Sequence, residues 1–314
     1  MRIWMTGGTG FVGSNIVRVA VSAGHHVTTT AHSYRPTGAV PYAIDVVDMT
    51  DASAVAASIE LAAPEMIIHC AILNDQIRMY GDRLAAWDAY VTSTRTVARA
   101  AERANVAMIL VSSDWVFDGT QVGADENTPP NPVNLYGVLK LASEMVTLER
   151  GGSVARVSGV NGMHYARPTT PRQQDAGFGY FVASLVDSLR DGHPFAVWMA
   201  DDINMVATPS LASECAEMIL QIGTERLDGI FHCCGADSVG RMDLAIAACH
   251  AFGLDESLLA SGPPPRDAFP PAPIPRDTSL TSPRTARLLR RTPSTLPELL
   301  KRFRVEYDSF VSGR

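Results

Sequence analysis

Lysine, cysteine and long apolar runs are all scarce in this sequence of 314 residues. Lysine occurs only at Lys140 and Lys301, and the other 24 of the 26 basic residues are arginine. The formal net charge of −7 disfavours a nucleic-acid-binding protein, because such proteins are usually basic. No stretch approaches the roughly 18 apolar residues of a membrane span. No charged leader precedes a long apolar run at the start, so we expect neither a membrane segment nor a signal peptide.

The five cysteines form an odd set without a Cys-x-x-Cys pair. This pattern disfavours a disulfide framework and a zinc site, and it favours reduced thiols in a cytoplasmic protein with no bound metal. The hydrophobic fraction of 46% with 19% charged residues is ordinary for a globular enzyme. The length suits one large domain or two modest ones.

A glycine-rich loop, Thr6–Gly13, lies between a short apolar strand pattern and a helical pattern. Its glycines fit G-x-G-x-x-G from Gly8 and the looser G-x-x-G-x-x-G from Gly7. Such a loop lets the backbone approach a pyrophosphate, which the N–H groups of the following helix then bind. The alternative is a plain strand–helix turn. The loop residues that we assign to cofactor binding are Gly7, Gly10, Phe11, Val12 and Gly13.

The second predicted strand, His26–Ala31, has no acidic residue at its end to bind a ribose 2′-hydroxyl. Ser33 and Arg35 follow it and can hold a 2′-phosphate instead. The pattern therefore favours NADPH over NADH, which stays as the alternative, and an ordinary loop arginine is the other interpretation of Arg35. Asp45 and Val46, at the end of the third strand, are predicted to meet the adenine edge. The nicotinamide-side wall is predicted at Cys70, Ala71 and Ile72.

Strand and helix patterns alternate through residues 1–112, which is typical of a parallel sheet covered on both faces. We therefore predict an α/β fold, a doubly wound parallel Rossmann sheet with a smaller C-terminal α/β substrate-binding lobe. Residues 1–155 and part of 190–235 would form the NADP-binding domain. Residues 156–189 and 236–314 would form the substrate-binding lobe.

Tyr136 and Lys140 are four residues apart in a predicted helix over 134–149, so both side chains share one face. An ammonium group beside a phenol lowers the phenol's pKa and makes it a usable proton donor or acceptor. The hydroxyl of Ser113 can complete a site for a carbonyl oxygen. The alternative is an amphipathic helix in which Tyr and Lys have this spacing by chance. Its apolar stripe, with Glu144 off the stripe, indicates core packing or a homodimer interface.

Several further segments carry predictions that bear on the site. Residues 72–80 are interpreted as a loop, and Leu84–Asn105 as one long helix. The loop 160–179 is interpreted as a substrate-side lid, because long structureless loops in compact domains are often functional. Arg167 and Arg172 on this lid are candidate phosphate contacts, or else solvated loop charges. Thr208 is predicted to cap a helix with Pro209 at its first position, and residues 263–283 to form an ordered arm across the surface.

The chain resembles the extended short-chain dehydrogenase/reductases, and more narrowly the dTDP-4-dehydrorhamnose reductase-like group. The resemblance spans essentially the whole chain. Its motifs are Thr6–Gly13, Ser112–Gly119, the Tyr136-x-x-x-Lys140 pair, Arg156-Val-Ser, the stretch from Asp201 to Thr208-Pro209, Gly229–Gly235 and Pro275–Leu280. Ser-Ser-Asp-Trp-Val-Phe-Asp-Gly resembles the Ser-Thr-Asp-Tyr-Val-Phe-Asp-Gly of these reductases. The related 4,6-dehydratases carry Thr-Asp-Glu there, whereas this chain has Trp115 after Asp114.

The resemblance implies that Tyr136 protonates a carbonyl oxygen while NADPH delivers hydride, and that Lys140 lowers the pKa of Tyr136 and binds the nicotinamide ribose. Ser113 keeps the hydroxyl of the usual threonine. Substrate contacts are assigned to Asp114, Trp115, Arg167, Arg172 and Arg276. The expected substrate is a small molecule, a nucleotide-linked 4-keto sugar or a related ketone. The alternatives are an epimerase or dehydratase of the same superfamily, or a non-catalytic NADP-binding regulatory subunit.

Overall fold

The computed structural model describes residues 1–31, 34, 36, 39–73, 75–169, 173–265 and 272–313. Ser33, Arg35 and Arg172, three of the predicted site residues, lie outside these ranges. The strands are β1 (Arg2–Thr6), β2 (His26–Ala31), β3 (Ala43–Val46), β4 (Met66–His69), β5 (Ala107–Ser113), β6 (Ser153–Val157), β7 (Val160–Asn161), β8 (Phe195–Trp198), β9 (Val206–Ala207), β10 (Ser210–Leu211), β11 (Gly229–Cys233), β12 (Val239–Gly240), β13 (Leu259–Gly262) and β14 (Asp277–Thr278).

The α-helices complete the described chain, together with a π-helical segment at Asp88–Thr92 and short 3₁₀ turns at Asp114–Val116 and Glu256–Leu258. They are α1 (Phe11–Ser22), α2 (Ala52–Ala62), α3 (Gln76–Gly81), α4 (Arg83–Trp87), α5 (Ser93–Ala104), α6 (Leu135–Glu149), α7 (Phe181–Arg190), α8 (Ala212–Thr224), α9 (Arg241–Phe252), α10 (Pro283–Leu289) and α11 (Leu296–Ser312).

Seven parallel strands form the central sheet in the order β11-β6-β5-β4-β1-β2-β3. The order of the strands reverses between β1 and β4. In open sheets of this kind ligands bind beyond the carboxyl ends of the strands, at such a reversal. The predicted fold class, a doubly wound parallel sheet, is confirmed.

The two faces of the sheet carry separate apolar layers. Successive side chains of a strand point to opposite faces, so Met5 packs with Ile16 of α1 while Trp4 packs with Ile59 of α2. Helices α1 and α8 cover the first face, and α2 and α5 cover the second. Both faces are buried, which explains why the strands of this sheet are nearly continuous apolar runs.

A further apolar cluster lies among α7, α9 and α11 and includes Phe181, Leu244 and Phe303. Short sheets of two or three strands accompany it, in the orders β12-β9-β14 and β13-β8. This cluster is distinct from the two that flank the central sheet, which agrees with a second lobe. The residue boundaries of the two lobes stay a prediction.

Several local predictions differ from the structure. Residues 76–81, predicted as part of a loop, form α3, which the side chain of Asp75 caps. The predicted long helix is present from Arg83 to Ala104, with a π-helical turn at Asp88–Thr92. Helix α8 begins only at Ala212, because Ser210 and Leu211 pair with β7. Thr208 therefore does not cap α8, and its hydroxyl binds the backbone of Leu280 instead.

The proline-rich arm does not lie wholly across the surface. Its residues 266–271 are outside the described ranges, but Thr278, Ser279 and Leu280 are fully buried. Asp277 and Thr278 form β14 and pair with β9. The arm therefore enters the protein interior close to the predicted site. In the described ranges, no helix is both long enough and apolar enough to cross a membrane.

Candidate active site

Ser113 and Tyr136 meet where β5 ends and α6 begins. Ser113 is the last residue of β5, and Tyr136 lies in the first turn of α6. The side chain of Asn134 caps α6 by accepting a hydrogen bond from the N–H of Gly137 at 2.9 Å. A Cβ atom at Gly137 would lie 2.2 Å from the carbonyl oxygen of Trp115. Glycine at this position therefore lets α6 lie directly against the end of β5.

The phenol of Tyr136 lies close enough to the Ser113 hydroxyl for this group to lower its pKa. Its ring is half-buried and meets the rings of Trp115 and Tyr90 edge-on, at centroid distances of 5.8 and 6.1 Å. Burial raises the pKa of Tyr136, and the hydrogen bond with Ser113 opposes this shift. The net direction is opposite to the lowering that the sequence predicted from Lys140, because the loss of hydration outweighs the favourable contacts.

Lys140 is buried one helical turn beyond Tyr136. Its Nζ donates a hydrogen bond to the carbonyl oxygen of Val111 at 2.9 Å and lies 5.9 Å from the centre of the Tyr136 ring. Burial lowers the pKa of Lys140 to about 8, while Cys70 and Glu144 raise it. The predicted juxtaposition of Ser113, Tyr136 and Lys140 is therefore present in the structure, and their catalytic roles stay a prediction.

The glycine-rich loop forms a tight turn through Gly7, Gly10 and Gly13. Gly7 has a φ of +72°, in the left-handed region that favours glycine. A Cβ at Gly13 would lie 2.0 Å from the carbonyl oxygen of Gly7. Gly10 is the N-cap of α1, so no side chain of the N-cap residue occupies the N–H groups of the first turn. Gly8 instead packs on Thr29 of β2, so the looser of the two glycine patterns describes the turn.

The predicted nicotinamide-side wall lies beside this loop, at the end of β4. The N–H groups of Cys70 and Ala71 donate to the hydroxyl of Thr6 at 3.1 and 3.0 Å, which joins the ends of β1 and β4. Burial raises the pKa of the Cys70 thiol to about 11, so this side chain is neutral at physiological pH. Ile72 is partly exposed and available to line a crevice.

The predicted adenine-side residues lie on β3. The carboxylate of Asp45 accepts a hydrogen bond of 2.5 Å from Ser58 of α2, and Val46 is exposed. Their positions at the carboxyl end of the sheet are compatible with the predicted contact, which stays a prediction.

Asp114 is buried and joins three segments of the chain. Its carboxylate accepts hydrogen bonds from Ser113 at 2.9 Å, from Ser158 at 2.8 Å and from Thr278 of the arm at 2.6 Å. Burial raises the pKa of Asp114, and these hydrogen bonds oppose the shift. The contacts favour a positioning role for Asp114 over the predicted substrate contact.

The other predicted substrate residues do not form one cluster. Trp115 is buried with its ring edge-on to Tyr136. Arg276 forms an exposed ion pair with Asp201. The guanidinium of Arg167 stacks on Tyr34, with 4.2 Å between Cζ and the ring centre.

Three residues of the site region were missed by the sequence analysis. The π-helical turn places Tyr90 in the interior, where its ring contacts both Tyr136 and Lys140. Arg241 is fully buried and donates to the backbone carbonyls of residues 175–177, which fixes this part of the lid. Asp175 lies beside Arg241 on the lid, where desolvation raises the pKa of its carboxyl to about 6 and Arg241 opposes this shift. No local spacing signals these long-range contacts.

A buried charge network ties α6 to the sheet. Arg156 of β6 donates two hydrogen bonds to the Glu144 carboxylate, at 2.7 and 3.0 Å. Ser112 donates to the same carboxylate at 2.5 Å, and both charged side chains are 1% exposed. The sequence analysis wrongly left Glu144 off the buried stripe, since its partner lies on a strand far along the chain.

Comparisons with known proteins show what the chain is similar to. The family model described as RmlD substrate binding domain matches residues 1–307. The chain is 29% identical to the methionine adenosyltransferase 2 subunit beta of Xenopus tropicalis, over 82% of this chain and 74% of that protein. It is 28% identical to the probable low-salt glycan biosynthesis reductase Agl14 of Haloferax volcanii, over 83% of each.

The fold also matches solved structures. A hypothetical dTDP-4-dehydrorhamnose reductase from Sulfolobus tokodaii superposes with a TM-score of 0.75 at 25% identity, over 94% of this chain and 97% of that one. Other structures with this fold, at 18–20% identity, were solved with NADP or NAD.

Proposed function

The chain belongs to the RmlD substrate binding domain family, and on this premise we propose that it reduces the ketone of a nucleotide-linked 4-keto sugar with NADPH. It is an NAD(P)-dependent oxidoreductase of the extended short-chain dehydrogenase/reductase type. The observation that carries the finer proposal is the meeting of Ser113 and Tyr136 beside the buried Lys140. Nucleotide-linked sugars are chosen as substrates because the matched reductases are named for them.

The residues present fit a dinucleotide. The turn at Gly7, Gly10 and Gly13 leaves no room for a Cβ at Gly13, so the backbone itself forms the cradle. The N–H groups of α1 and the positive end of its dipole favour a pyrophosphate at this point. When bound, NADPH supplies the hydride.

The chain's own residues supply the proton and hold the carbonyl oxygen. Because burial raises the pKa of Tyr136, the phenol is protonated at neutral pH, which is the form that a ketone reduction requires. In the proposed reaction the Ser113 hydroxyl turns its hydrogen from Asp114 to the carbonyl oxygen, and Tyr136 transfers its proton to that oxygen. The ammonium group of Lys140 then stabilises the phenolate that remains.

Substitution of Tyr136 by phenylalanine tests the assignment. The Tyr136→Phe variant keeps the ring that packs on Trp115 but loses the proton donor, so NADPH binding should stay nearly intact. Turnover should fall by about 10²- to 10⁴-fold, the usual contribution of general acid catalysis. Tyr307→Phe, far from the site in α11, is the matched control and should keep full turnover. Equal turnover of the Tyr136 variant and the wild type would contradict the proton-donor role.

The substrate is tested by NADPH fluorescence with a panel of dTDP-, UDP- and GDP-linked 4-keto sugars. Loss of fluorescence with one member would establish the reductase and identify the nucleotide. Tight NADPH binding without oxidation by any member would contradict the proposed substrate class.

A second candidate is a cofactor-binding subunit of another enzyme. The match to methionine adenosyltransferase 2 subunit beta favours it. Such a subunit would bind NADPH and would not oxidise it with any ketone, whereas an epimerase would convert a sugar without net NADPH consumption. The fluorescence panel, followed by product analysis, separates these outcomes.

A further inference from the structure

The segment after β7, predicted as a substrate-side lid, also packs against the start of α1, which follows the glycine-rich loop. The side chain of Asn15 in α1 donates to the carbonyl oxygen of Met163 at 2.9 Å. The ring of Phe11, the first residue of α1, lies 6.1 Å from that of His164 and 4.2 Å from that of Tyr180. The lid therefore packs along the first turn of α1, where a dinucleotide pyrophosphate would bind.

The same segment then reaches the chain that follows β2. The hydroxyl of Tyr34 donates to the carbonyl oxygen of Ala166 at 2.6 Å. The next residue, Arg167, lays its guanidinium over the Tyr34 ring at 4.2 Å. The Arg167 side chain nevertheless stays exposed. Stacking holds the plane of the guanidinium against the ring, and a guanidinium is suited to binding a phosphate.

We propose that Arg167, held by Tyr34, binds the 2′-phosphate of NADPH and determines the cofactor preference from the lid. The end of β2 is where dinucleotide folds meet the adenosine ribose. Here that strand ends in Ala31 without an acidic residue, so a ribose 2′-hydroxyl lacks its usual carboxylate partner. Arginine at this place supplies charge-assisted hydrogen bonds to a phosphate.

Arg167 was predicted from sequence to contact the substrate, and here it is assigned to the cofactor instead. The lid would then bind both substrate and cofactor. The lid residue lies more than 130 positions along the chain from Tyr34, so cofactor binding would fasten the two segments to each other. The inference rests on the proposed use of NADPH, but it does not depend on which ketone is reduced.

The test is a comparison of binding with and without a 2′-phosphate. Isothermal titration calorimetry would measure NADP⁺ against NAD⁺, and 2′,5′-ADP against 5′-AMP, for the wild type and Arg167→Gln. The variant should bind NADP⁺ and 2′,5′-ADP about 10- to 100-fold more weakly, as expected for lost hydrogen bonds to a charged group. Binding of NAD⁺ and 5′-AMP should be nearly unchanged.

Matched variants separate the alternatives. Arg190→Gln removes another arginine stacked on a tyrosine, Tyr307, and should leave all four affinities unchanged. Tyr34→Leu removes the stacking partner and should give part of the loss, while Arg167→Lys keeps the charge and should restore part of it. Equal weakening of both ligands in each pair would show that Arg167 only shapes the lid, and no weakening would show that it does not touch the cofactor. Either result overturns the proposal.

The affinities of the wild type for NADP⁺ and NAD⁺ test the NADPH preference independently of the variants. A preference for NADP⁺ over NAD⁺ with no effect of Arg167→Gln refutes this inference and leaves the proposed NADPH dependence intact. Equal wild-type affinities refute the NADPH preference itself. Neither result depends on ketone turnover.

Discussion

Lys140 holds an ammonium group almost wholly removed from solvent, and this makes stability depend on pH. Burial lowers its pKa from 10.5 to about 8, so the unfolded chain binds the proton more tightly than the folded chain between these values. Stability must therefore rise as the pH increases through this window. Relative to Lys140→Met, the wild type should gain about 2 kcal/mol in unfolding free energy between pH 7 and pH 10.

Urea denaturation of both proteins at the two pH values, without added cofactor, checks this expectation. Subtracting the variant cancels the titration of all other groups, and the lost hydrogen bond to Val111 adds a constant offset. A flat or falling difference with pH would refute the lowered pKa.

Single residues also show what local pattern can and cannot predict. The spacing of Tyr136 and Lys140 placed both side chains on one helical face, because helical periodicity is a local property. The direction of the Tyr136 pKa shift was wrong, since it depends on how much water the folded chain removes. Arg241 and Glu144 look like surface charges in sequence, and only the carbonyls or guanidinium that they meet in the fold explain their burial.

At the scale of the element, the network of Glu144 and Arg156 determines how firmly α6 is held. Removing one partner of a buried ion pair leaves the other charge without compensation. Arg156→Met should therefore cost about 3 to 5 kcal/mol of unfolding free energy in urea denaturation. Arg150→Met, which breaks a more exposed pair with Glu102, should cost about 1 kcal/mol or less.

A double variant distinguishes loss of the pair from loss of packing. Glu144→Leu combined with Arg156→Met removes both charges and should recover most of the lost stability. Similar costs for Arg156→Met and Arg150→Met would contradict the role assigned to the network.

The strands and most helices of residues 1–157 follow from sequence, because buried parallel strands read as apolar runs and helices as periodic patterns. The π-helical turn at Asp88–Thr92 does not, since its residues are compatible with an ordinary helix. It is accompanied by hydrogen bonds from Ser93 and Thr94 hydroxyls to backbone carbonyls one turn back. The buried arm likewise depends on its pairing with β9 and on the contact between Thr278 and Asp114.

At the scale of the whole molecule, the glycine loop follows β1 next to the reversal between β1 and β4, where the proposed cofactor would bind. The sequence predicted that the glycine loop, Cys70 and Ser113 lie at the carboxyl ends of strands, because each motif is tied to the end of a particular strand. The assignment of the lid was less accurate. Its contacts with Phe11 and Tyr34 join residues that are far apart in sequence. The sequence of the lid has no periodic pattern, so nothing in it predicts these contacts.

The exposed apolar side chains of α4 and α6 predict a homodimer. Val138 and Met145 are seven residues apart on α6, which places them on one face, and both are exposed. Leu84 and Trp87 on α4 are also exposed. A second copy of the chain can bury these side chains.

Sedimentation velocity should show a dimer for the wild type and a monomer for Val138→Lys/Met145→Lys. The control Val305→Lys, at an exposed apolar position on α11, should stay dimeric. A monomeric wild type would refute the prediction, and a dimeric double variant would place the interface elsewhere.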